Sequence, residues 1–424
     1  MSKDKVITGI DIGTSKITTV IGLVEENSIN VIGVSSFPAK GLKKGQIVDI
    51  DEAVSVISSS LESAERMAGF SSGNAFITAA GSHIESQNSK GVVAVSHPEG
   101  EISTDDVLRV IEAARAISLP SSKEILHVIP RYFVIDSQSG IKDPVGMNGV
   151  RLEVETHIVT GATTSLRNIA KCASKVGIGV SGMVFSGLSS SYAVLTETER
   201  ELGVILIDFG GGTTDVCIFT EGAPVHSAVL PIGARNVTND LAIGLRISLD
   251  SAEKIKLALS KEPKTAVEVN DDGDVVDRKE SDQLDLSGLG LEENLKNVSK
   301  KTITDGIIKP RLREILNMIK LEIQKSGYLG LTPSGVVLTG GGSETAGVLE
   351  IAKQELGMPV RIGIPQGATG LVDEINSPAF AASLGLVIYG SQFQEDEVRI
   401  PLVGRIEIKN VVSKSLSWIR SKLP

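Results

Sequence analysis

The chain has 424 residues, of which 41% are hydrophobic and 22% charged, and a net charge of −10 at neutral pH. This length predicts roughly three domain-sized units in an ordinary globular protein. The acidic balance argues against a nucleic-acid partner, and the 3% aromatic content argues against base-stacking platforms. Cys172 and Cys217 lie in apolar surroundings, which is typical of packed free thiols in a reducing cytoplasm. We find neither a signal-peptide core nor an apolar run of the ~18 residues that a membrane-spanning helix needs.

The first chemical motif is a glycine turn between two β-rich runs near the N-terminus. Residues 6–12 and 17–24 predict strands, with Asp11 near the end of the first. The turn contains Gly13, Thr14, Ser15 and Lys16. Glycine lets the backbone approach a ligand closely, successive N–H groups form an anion nest, and the lysine adds a charge suited to phosphate. The alternative is a glycine-rich hairpin that binds nothing.

The next 140 residues divide into a continuation of this unit and an insertion. A strand at 29–36, a helix at 51–67 and a strand at 75–80 continue the first unit. Between 84 and 162 we predict a separate α+β module, with strands at 92–95, 125–135 and 150–159. Its helix begins after Ser103 and is closed by Pro120. The alternative is an elaborated loop.

The central motif repeats the first one. Residues 204–207 predict a strand buried on both faces, which leads into Asp208, and 216–219 predict the returning strand. The turn between them contains Gly210, Gly211, Gly212, Thr213 and Thr214. Self-similarity between distant segments indicates two related halves, so two such turns could close on one nucleotide. Asp208 would then hold Mg²⁺ through water, since Mg²⁺ usually keeps several waters.

The chain beyond residue 230 supplies a third glycine motif and several helices. We predict a helix over 235–260 with an interruption at Gly244, a polar edge at 262–300 and an amphipathic helix over 303–328. Glu253 and Lys256 lie three residues apart, and as a bare pair they are typical of a solvated helix face. The third motif is a strand that ends in Gly340, Gly341, Gly342 and Ser343, before a helix predicted at 344–356. Residues 378–390 predict a buried core helix.

The last fourteen residues have the pattern of an interfacial amphipathic helix. The apolar members are Val412, Leu416, Trp418, Ile419 and Leu423, and the basic ones are Lys414, Arg420 and Lys422. Burial of four or five apolar side chains stabilises the bound helix by roughly 6–15 kcal/mol. Ordering the backbone of about a dozen residues costs on the order of 1–2 kcal/mol for each residue. These terms nearly cancel, so we expect weak, reversible binding by one tail and avid binding by an array. The alternative is a helix docked on the protein's own core.

The three glycine motifs, in this order, resemble those of the actin-like ATPase superfamily. Within it the chain is most similar to the FtsA family of bacterial cell-division proteins. Further marks of that family are the segments 187–192, 196–203 and 360–365. The resemblance implies an α/β, two-lobed actin-like fold with duplicated ribonuclease-H-like domains and an inserted α+β subdomain. The implied domains are 1–83, 163–202 and 365–395 (first lobe), 84–162 (insert), 203–234 and 305–364 (second lobe), 235–304 (second-lobe subdomain), 396–410 (linker) and 411–424 (membrane helix).

The resemblance also implies ATP and Mg²⁺ between the lobes. Residues 13–16 and 210–214 would hold phosphates, 340–343 the adenosine, and Glu253 with Lys256 the ribose and base. Asp11 and Asp208 would organise the metal and be the catalytic carboxylates. Several relatives carry a Glu or Gln that positions the attacking water, whereas residues 185–187 of this chain are Phe-Ser-Gly. Because phosphoryl transfer depends on that positioning, we expect slow hydrolysis, with the nucleotide acting as an assembly switch.

The implied role is attachment of the division ring to the inner face of the cytoplasmic membrane. The implied partners are the C-terminal peptide of FtsZ, other copies of the chain and later division proteins, with Arg311 as a partner contact. A chaperone-type ATPase would need a peptide-binding domain after the third motif, where only about eighty residues follow. A small-molecule kinase would need an acid in place of Ser186. An actin-like pilus-assembly ATPase is the nearer alternative, against which the basic, Trp-containing tail argues.

Overall fold

The structure is a computed structural model that describes residues 5–25, 28–97, 99–261, 267–269, 275–277, 282–293 and 297–392. The predicted tail at 411–424 lies outside the described residues. Within these ranges the strands are β1 Lys5–Ile12, β2 Lys16–Glu25, β3 Ser28–Pro38, β4 Leu42–Lys43, β5 Gln46–Ile47, β6 Asn74–Ala79, β7 Glu85–Ala94, β8 Lys123–Ile135, β9 Gln138–Ile141, β10 Arg151–Ala162, β11 Gly179–Phe185, β12 Val204–Phe209, β13 Thr214–Thr220, β14 Ala223–Leu230, β15 Val267–Val269, β16 Val275–Asp277, β17 Gln283–Asp285, β18 Asn297–Ser299, β19 Val336–Thr339, β20 Val360–Ile362 and β21 Thr369–Gly370. The helices are α1 Ile50–Ala68, α2 Thr104–Arg115, α3 Thr163–Val176, α4 Ser186–Val194, α5 Glu197–Leu202, α6 Arg235–Leu245, α7 Leu249–Lys261, α8 Lys300–Ile303, α9 Lys309–Ser326, α10 Val348–Leu356, α11 Val372–Ile375 and α12 Ala381–Ser391.

Two sheets with the same local plan form the two lobes. The first has the described strand order β11-β6-β1-β2-β3-β21, and the second has β14-β13-β12-β19-β20. In each, a hairpin of antiparallel strands (β1 and β2, or β12 and β13) has a parallel strand beside its first member (β6 or β19). The predicted repeat is therefore present in the backbone pairing.

Strand β12 belongs to the second sheet and contacts the cores of both lobes. Val204 and Leu206 pack in the core that contains the first sheet, whereas Ile205 and Ile207 pack in the core of the second. Successive side chains of a strand point to opposite faces, so a continuous apolar run suits a strand that is buried on both sides. This explains why the sequence from 204 to 207 lacks the polar alternation of a half-exposed strand.

The insertion forms its own sheet and contacts the second lobe. Its strand order is β7-β10-β8-β9, and α2 begins at a capping box formed by Ser103 and Asp106. The Ser86 hydroxyl donates to the Ser227 carbonyl of β14 over 2.7 Å, and His157 Nε2 lies 3.0 Å from Ser227 Oγ. Burial lowers the pKa of His157 to about 3, so this buried link is made by a neutral imidazole.

Three predicted helix boundaries were wrong. The helix after the third glycine motif begins at Val348 instead of 344, because a 3₁₀ turn at Gly341–Glu344 comes first. The interruption predicted at Gly244 within 235–260 lies two residues later, because Arg246 adopts a left-handed conformation (φ 57°) that closes α6 at Leu245, and α7 begins at Leu249. The insert helix ends at Arg115, five residues before the predicted stop at Pro120.

Candidate nucleotide-binding site

The first hairpin places Asp11 at the end of β1, where a neighbouring strand holds its carboxylate. Thr78 of β6 donates its hydroxyl to Asp11 Oδ1 over 2.8 Å and accepts the Ile12 N–H over 2.9 Å. The turn is closed by a hydrogen bond from the Gly13 N–H to the Lys16 carbonyl (3.1 Å). A Cβ on Gly13 would lie 2.7 Å from that carbonyl oxygen, so only glycine fits this turn.

The three other residues of this turn have different environments. Thr14 is buried and accepts the Gly45 N–H over 2.8 Å, whereas Ser15 is exposed at the tip. The Lys16 ammonium lies 3.8 Å from the centre of the Phe380 ring, a cation–π contact. Burial lowers the pKa of Lys16, and nearby carboxylates oppose this shift. The predicted phosphate lysine is thus largely removed from water at the base of the hairpin.

The second hairpin repeats this turn with Asp208 in the place of Asp11. The Gly210 N–H donates to the Thr213 carbonyl over 3.0 Å, the same three-residue closure as in the first hairpin. Asp208 pairs in register with Asp215 on β13, and both residues are buried. Asp208 Oδ2 accepts the hydroxyl of Ser190 from α4.

Two further contacts hold this second turn in place. The Gly210 and Gly211 carbonyls accept the N–H groups of Ala234 and Arg235, at 2.9 and 2.8 Å, where α6 begins. The Thr214 hydroxyl donates to a backbone carbonyl over 2.8 Å. The glycine turn is therefore fixed to the start of α6.

The tips of the two hairpins touch each other. A Cβ built on Gly211 would lie 1.8 Å from Ser15 Oγ, and one on Gly212 would lie 2.5 Å from Thr14 Cγ2. The glycines of one turn therefore leave the space that the side chains of the other occupy. The predicted convergence of the two motifs is present in the structure.

Three carboxyl groups share this cleft: Asp208 and Asp215 are buried and Asp11 is half-buried. Burial raises the pKa of Asp11, and the Thr78 hydrogen bond and Lys16 oppose that shift. Burial also raises the pKa of Asp208 to about 6, opposed by its Ser190 hydrogen bond. The pKa of Asp215 is raised well above its usual range by burial and then by the charge of Asp208. Carboxyl groups with raised pKa values in a cleft are typical of functional sites.

The third motif lies against Asp208. Gly340 has φ 80°, and a Cβ there would lie 2.3 Å from Asp208 Oδ1. The Ser343 hydroxyl donates to the Gly340 carbonyl over 2.7 Å, while Gly342 packs on the Phe209 ring. Gly341 is exposed. All three glycine motifs thus border one cleft.

Glu253 and Lys256 form an ion pair on α7. The Lys256 ammonium lies 2.8 Å from Glu253 Oε2 and donates to Thr238 Oγ1 over 3.0 Å. The Lys256 side chain is only 7% exposed, against 43% for Glu253. Thr238 lies on α6, one turn beyond Arg235, which bonds the second glycine turn. The fully solvated helix face that the bare pair suggested is therefore wrong for Lys256.

The residues present fit a magnesium–nucleotide complex. Asp215 Oδ1 is buried and lacks a hydrogen-bond partner among the described residues, so it has a free lone pair. No group of three or more His, Cys, Asp or Glu residues in the described ranges is arranged to hold a metal ion alone. Mg²⁺ takes few carboxylates and completes its shell with water and phosphate oxygens, so one free carboxylate oxygen beside Asp208 suits it.

Sequence reasoning missed three residues of this cleft. Thr78 and Ser190 hold the two aspartates, and Asp215 carries a buried oxygen without a hydrogen-bond partner among the described residues. Asp215 could have been found, since it is the acid that follows the threonines of the central turn. Ser190 lies in the family segment 187–192, but neither it nor Thr78 carries a sign of its target, because each acts on a residue that folding alone brings near.

Arg311, the predicted partner contact, is engaged within the chain. Its guanidinium binds both carboxylate oxygens of Asp240, at 2.5 and 2.9 Å, and also Glu314. The Asp240 carboxylate raises the pKa of Arg311. An acidic partner would therefore compete with these carboxylates. Separately, no helix in the described ranges is long and apolar enough to cross a bilayer.

Comparison with known proteins gives a consistent picture. Residues 205–385 match the sequence model described as cell division protein FtsA, and residues 81–160 match that of the SHS2 domain inserted in FtsA. Cell division protein FtsA of Pseudomonas aeruginosa is 40% identical over 407 residues, which are 94% of this chain and 93% of the relative. That of Borreliella burgdorferi is 37% identical over 417 residues, 98% of each chain.

A solved structure resembles the fold at low sequence identity. A chain of the PilM-PilN type IV pilus biogenesis complex is 16% identical, with a TM-score of 0.64 over 91% of this chain and 98% of that one. This likeness, together with the two paired sheets, confirms the predicted actin-like two-lobed fold with an inserted subdomain. Because two relatives at 37–40% identity cover almost the whole sequence, the chain belongs to the FtsA family of bacterial cell-division proteins.

Proposed function

We propose that the chain binds ATP with Mg²⁺ between its lobes and uses the nucleotide to control self-association during cell division. The observation that carries this proposal is the meeting at one cleft of two turns with the same hydrogen-bonded closure, each preceded by an aspartate. Ser15 and Gly211 touch at the tips of the two turns. The charges of Asp11 and Asp208 act on the Lys16 ammonium in the same cleft. Bound Mg²⁺ would offset the carboxylates and neutralise phosphate charge.

The residues have separate roles in this proposal. The turns at 13–16 and 210–214 hold the phosphates, 340–343 line the adenosine, and the Glu253–Lys256 pair reaches the ribose and base. Asp11 and Asp208, with the unpartnered oxygen of Asp215, face the metal.

Nucleotide binding is tested by titrating the protein with a fluorescent ATP analogue in Mg²⁺ and in excess EDTA. We expect saturable binding that Mg²⁺ strengthens and that Lys16→Ala weakens by at least about tenfold, since a buried charge-assisted contact is worth roughly 1.5–3 kcal/mol. Lys325→Ala, which removes a cation on the exposed face of α9, is the control and should bind as wild type. Wild-type protein that binds no nucleotide would overturn the proposal.

Hydrolysis should be slow, because the position that would place the attacking water carries no acid or amide. Ser186 begins α4 there, and it hydrogen-bonds to Asp215. We expect a turnover well below the roughly 1 per second of ordinary kinases. A phosphate-release assay on purified protein, with Asp208→Asn as the background, measures this rate.

We further propose that the chain attaches the FtsZ ring to the cytoplasmic face of the membrane and recruits later division proteins. Membership of the FtsA family supports a division role. The basic amphipathic pattern of 411–424, with Trp418 as the chain's single tryptophan, supports peripheral attachment. In this proposal an acidic FtsZ peptide contacts Arg311, in competition with the carboxylates of Asp240 and Glu314.

The tail is tested by sedimentation with vesicles that contain anionic lipid. Trp418→Glu should leave most protein in the supernatant, because a charge replaces the largest apolar side chain of the tail. Ser417→Glu adds the same charge at the neighbouring position and controls for charge alone. Equal sedimentation of Trp418→Glu and wild type would contradict the assignment, and a fluorescent fusion with and without 411–424 extends the test to the division site.

A further inference from the structure

The two cleft aspartates are held by hydroxyl groups from different parts of the molecule. In the first lobe, Thr78 on the parallel neighbour strand donates to Asp11. In the second lobe, the parallel neighbour also presents a threonine, since Asp208 pairs in register with Thr339. Thr339 instead donates to backbone carbonyls, of which that of Gly363 lies 2.8 Å away. The repeat therefore lacks its own support for Asp208.

The missing support comes from helix α4 of the first lobe. Ser190 is fully buried and donates its hydroxyl to Asp208 Oδ2. Helix α4 packs tightly on α12. The Ser189 hydroxyl donates to the Ala382 carbonyl (2.7 Å), and a Cβ on Gly385 would lie 1.9 Å from the Ser189 carbonyl oxygen. Helix α12 in turn packs on β1 and β2. Ser190, on a helix that packs with the first lobe, thus holds an aspartate of the second lobe.

We infer that Ser190 is a positioning residue, whose hydroxyl holds the Asp208 carboxylate in the orientation that a bound magnesium–nucleotide complex requires. This inference rests on the proposed function. Ser190 donates a hydrogen bond to Oδ2. Gly340 packs against Oδ1 so closely that a Cβ there would lie 2.3 Å from this oxygen, which limits rotation of the carboxylate. The carboxylate is therefore fixed on both sides before any ligand arrives, which lowers the cost of binding.

The test compares Ser190→Ala with a matched loss of hydroxyl on the same helix. Ser191 is equally buried, but its hydroxyl donates to the Leu188 carbonyl (2.6 Å) within α4. Affinity for the fluorescent ATP analogue is measured in Mg²⁺ and in EDTA for wild type, Ser190→Ala and Ser191→Ala. We expect Ser190→Ala to lose about tenfold or more in Mg²⁺, as for a hydrogen bond to a charged group, and to match wild type in EDTA. Ser191→Ala should match wild type in both conditions.

Ser190→Cys replaces the hydroxyl with a slightly larger thiol that is only a weak donor and leaves no empty space. It should behave like Ser190→Ala, so the test stands if the alanine variant folds poorly. Equal losses in Mg²⁺ and EDTA, or equal losses in Ser190→Ala and Ser191→Ala, would mean a purely structural role and overturn the inference. So would wild-type affinity of Ser190→Ala in Mg²⁺. Failure of the proposed function is distinguishable, because it appears as absent or Mg²⁺-independent binding by the wild type.

Discussion

The two hairpins have the same backbone turn, but different parts of the molecule support them. Both turns close by the same N–H to carbonyl hydrogen bond across three residues, and both follow an aspartate whose pKa is raised by burial. The first hairpin is supported within its own sheet by Thr78, whereas the second depends on Ser190 from the other lobe. A shift of one lobe against the other would therefore change the hydrogen bonding of Asp208 and leave that of Asp11 intact.

The two turns differ in glycine content because they approach each other closely across the cleft. The first turn has one glycine, and the second has three. Gly211 and Gly212 face Ser15 and Thr14 across the cleft, and side chains on both turns would collide. Close approach needs glycine on one side only, so the second turn carries the glycines and the first carries the hydroxyl groups.

The largest effect on this comparison should come from Gly340→Ala, which pushes Asp208 away from Ser190. The new Cβ would lie 2.3 Å from Asp208 Oδ1, at a residue with φ 80°. With ψ 162° this backbone conformation is almost restricted to glycine and costs another residue about 1–3 kcal/mol. Overpacking adds about 1–3 kcal/mol, so we expect about 2–6 kcal/mol less stability in urea denaturation. Gly347→Ala has a similar φ (81°) but lies in the left-handed helical region (ψ −3°) and has more space, with Lys309 Cε at 3.8 Å, so it should lose only about 1–2 kcal/mol. Equal losses would show that crowding at Asp208 is unimportant.

The next effect is a pH dependence that belongs to Asp208. Burial raises its pKa from 3.8 in the unfolded chain to about 6, despite the opposing charge of Lys16; Asp11 and Asp215 also face it. Between these values the folded state holds a proton that the unfolded chain has lost. The free energy of unfolding should therefore fall as pH rises from about 4 to 6, by up to about 1.4 kcal/mol per pH unit.

The isosteric Asp208→Asn variant removes this contribution, and it also makes the pKa of Asp215 less raised, because the Asp208 charge no longer faces that carboxyl group. The difference in unfolding free energy between variant and wild type, without ligand, should therefore grow in favour of the variant across that window. The measurement is urea denaturation at pH 4.5, 5.5 and 6.5. A difference that stays constant with pH would contradict a raised pKa at Asp208.

The sequence predicted the hairpins and could not predict their supports. Strand periodicity, an aspartate and a glycine turn are local patterns, so Asp11 and Asp208 could be identified and expected to converge. Thr78 and Ser190 lie 67 and 18 residues from the aspartates that they hold, and a lone hydroxyl carries no sign of its target. Lys256 shows the same limit, since its spacing from Glu253 suggested a solvated face and only packing buries it.

The smallest effect should come from exchanging the two equivalent threonines for valine, which keeps their shape. Thr78→Val removes the hydroxyl that serves Asp11 and the Ile12 N–H, and leaving such buried groups unsatisfied costs about 1–3 kcal/mol. Thr339→Val removes the hydroxyl that donates to the Gly363 and Pro378 carbonyls, and it should lower the free energy of unfolding by about 0.5–1.5 kcal/mol. Only Thr78→Val should also weaken binding of the ATP analogue in Mg²⁺. If Thr339→Val weakened it equally, the second lobe would support its own aspartate after all, and the dependence of Asp208 on α4 would lose its basis.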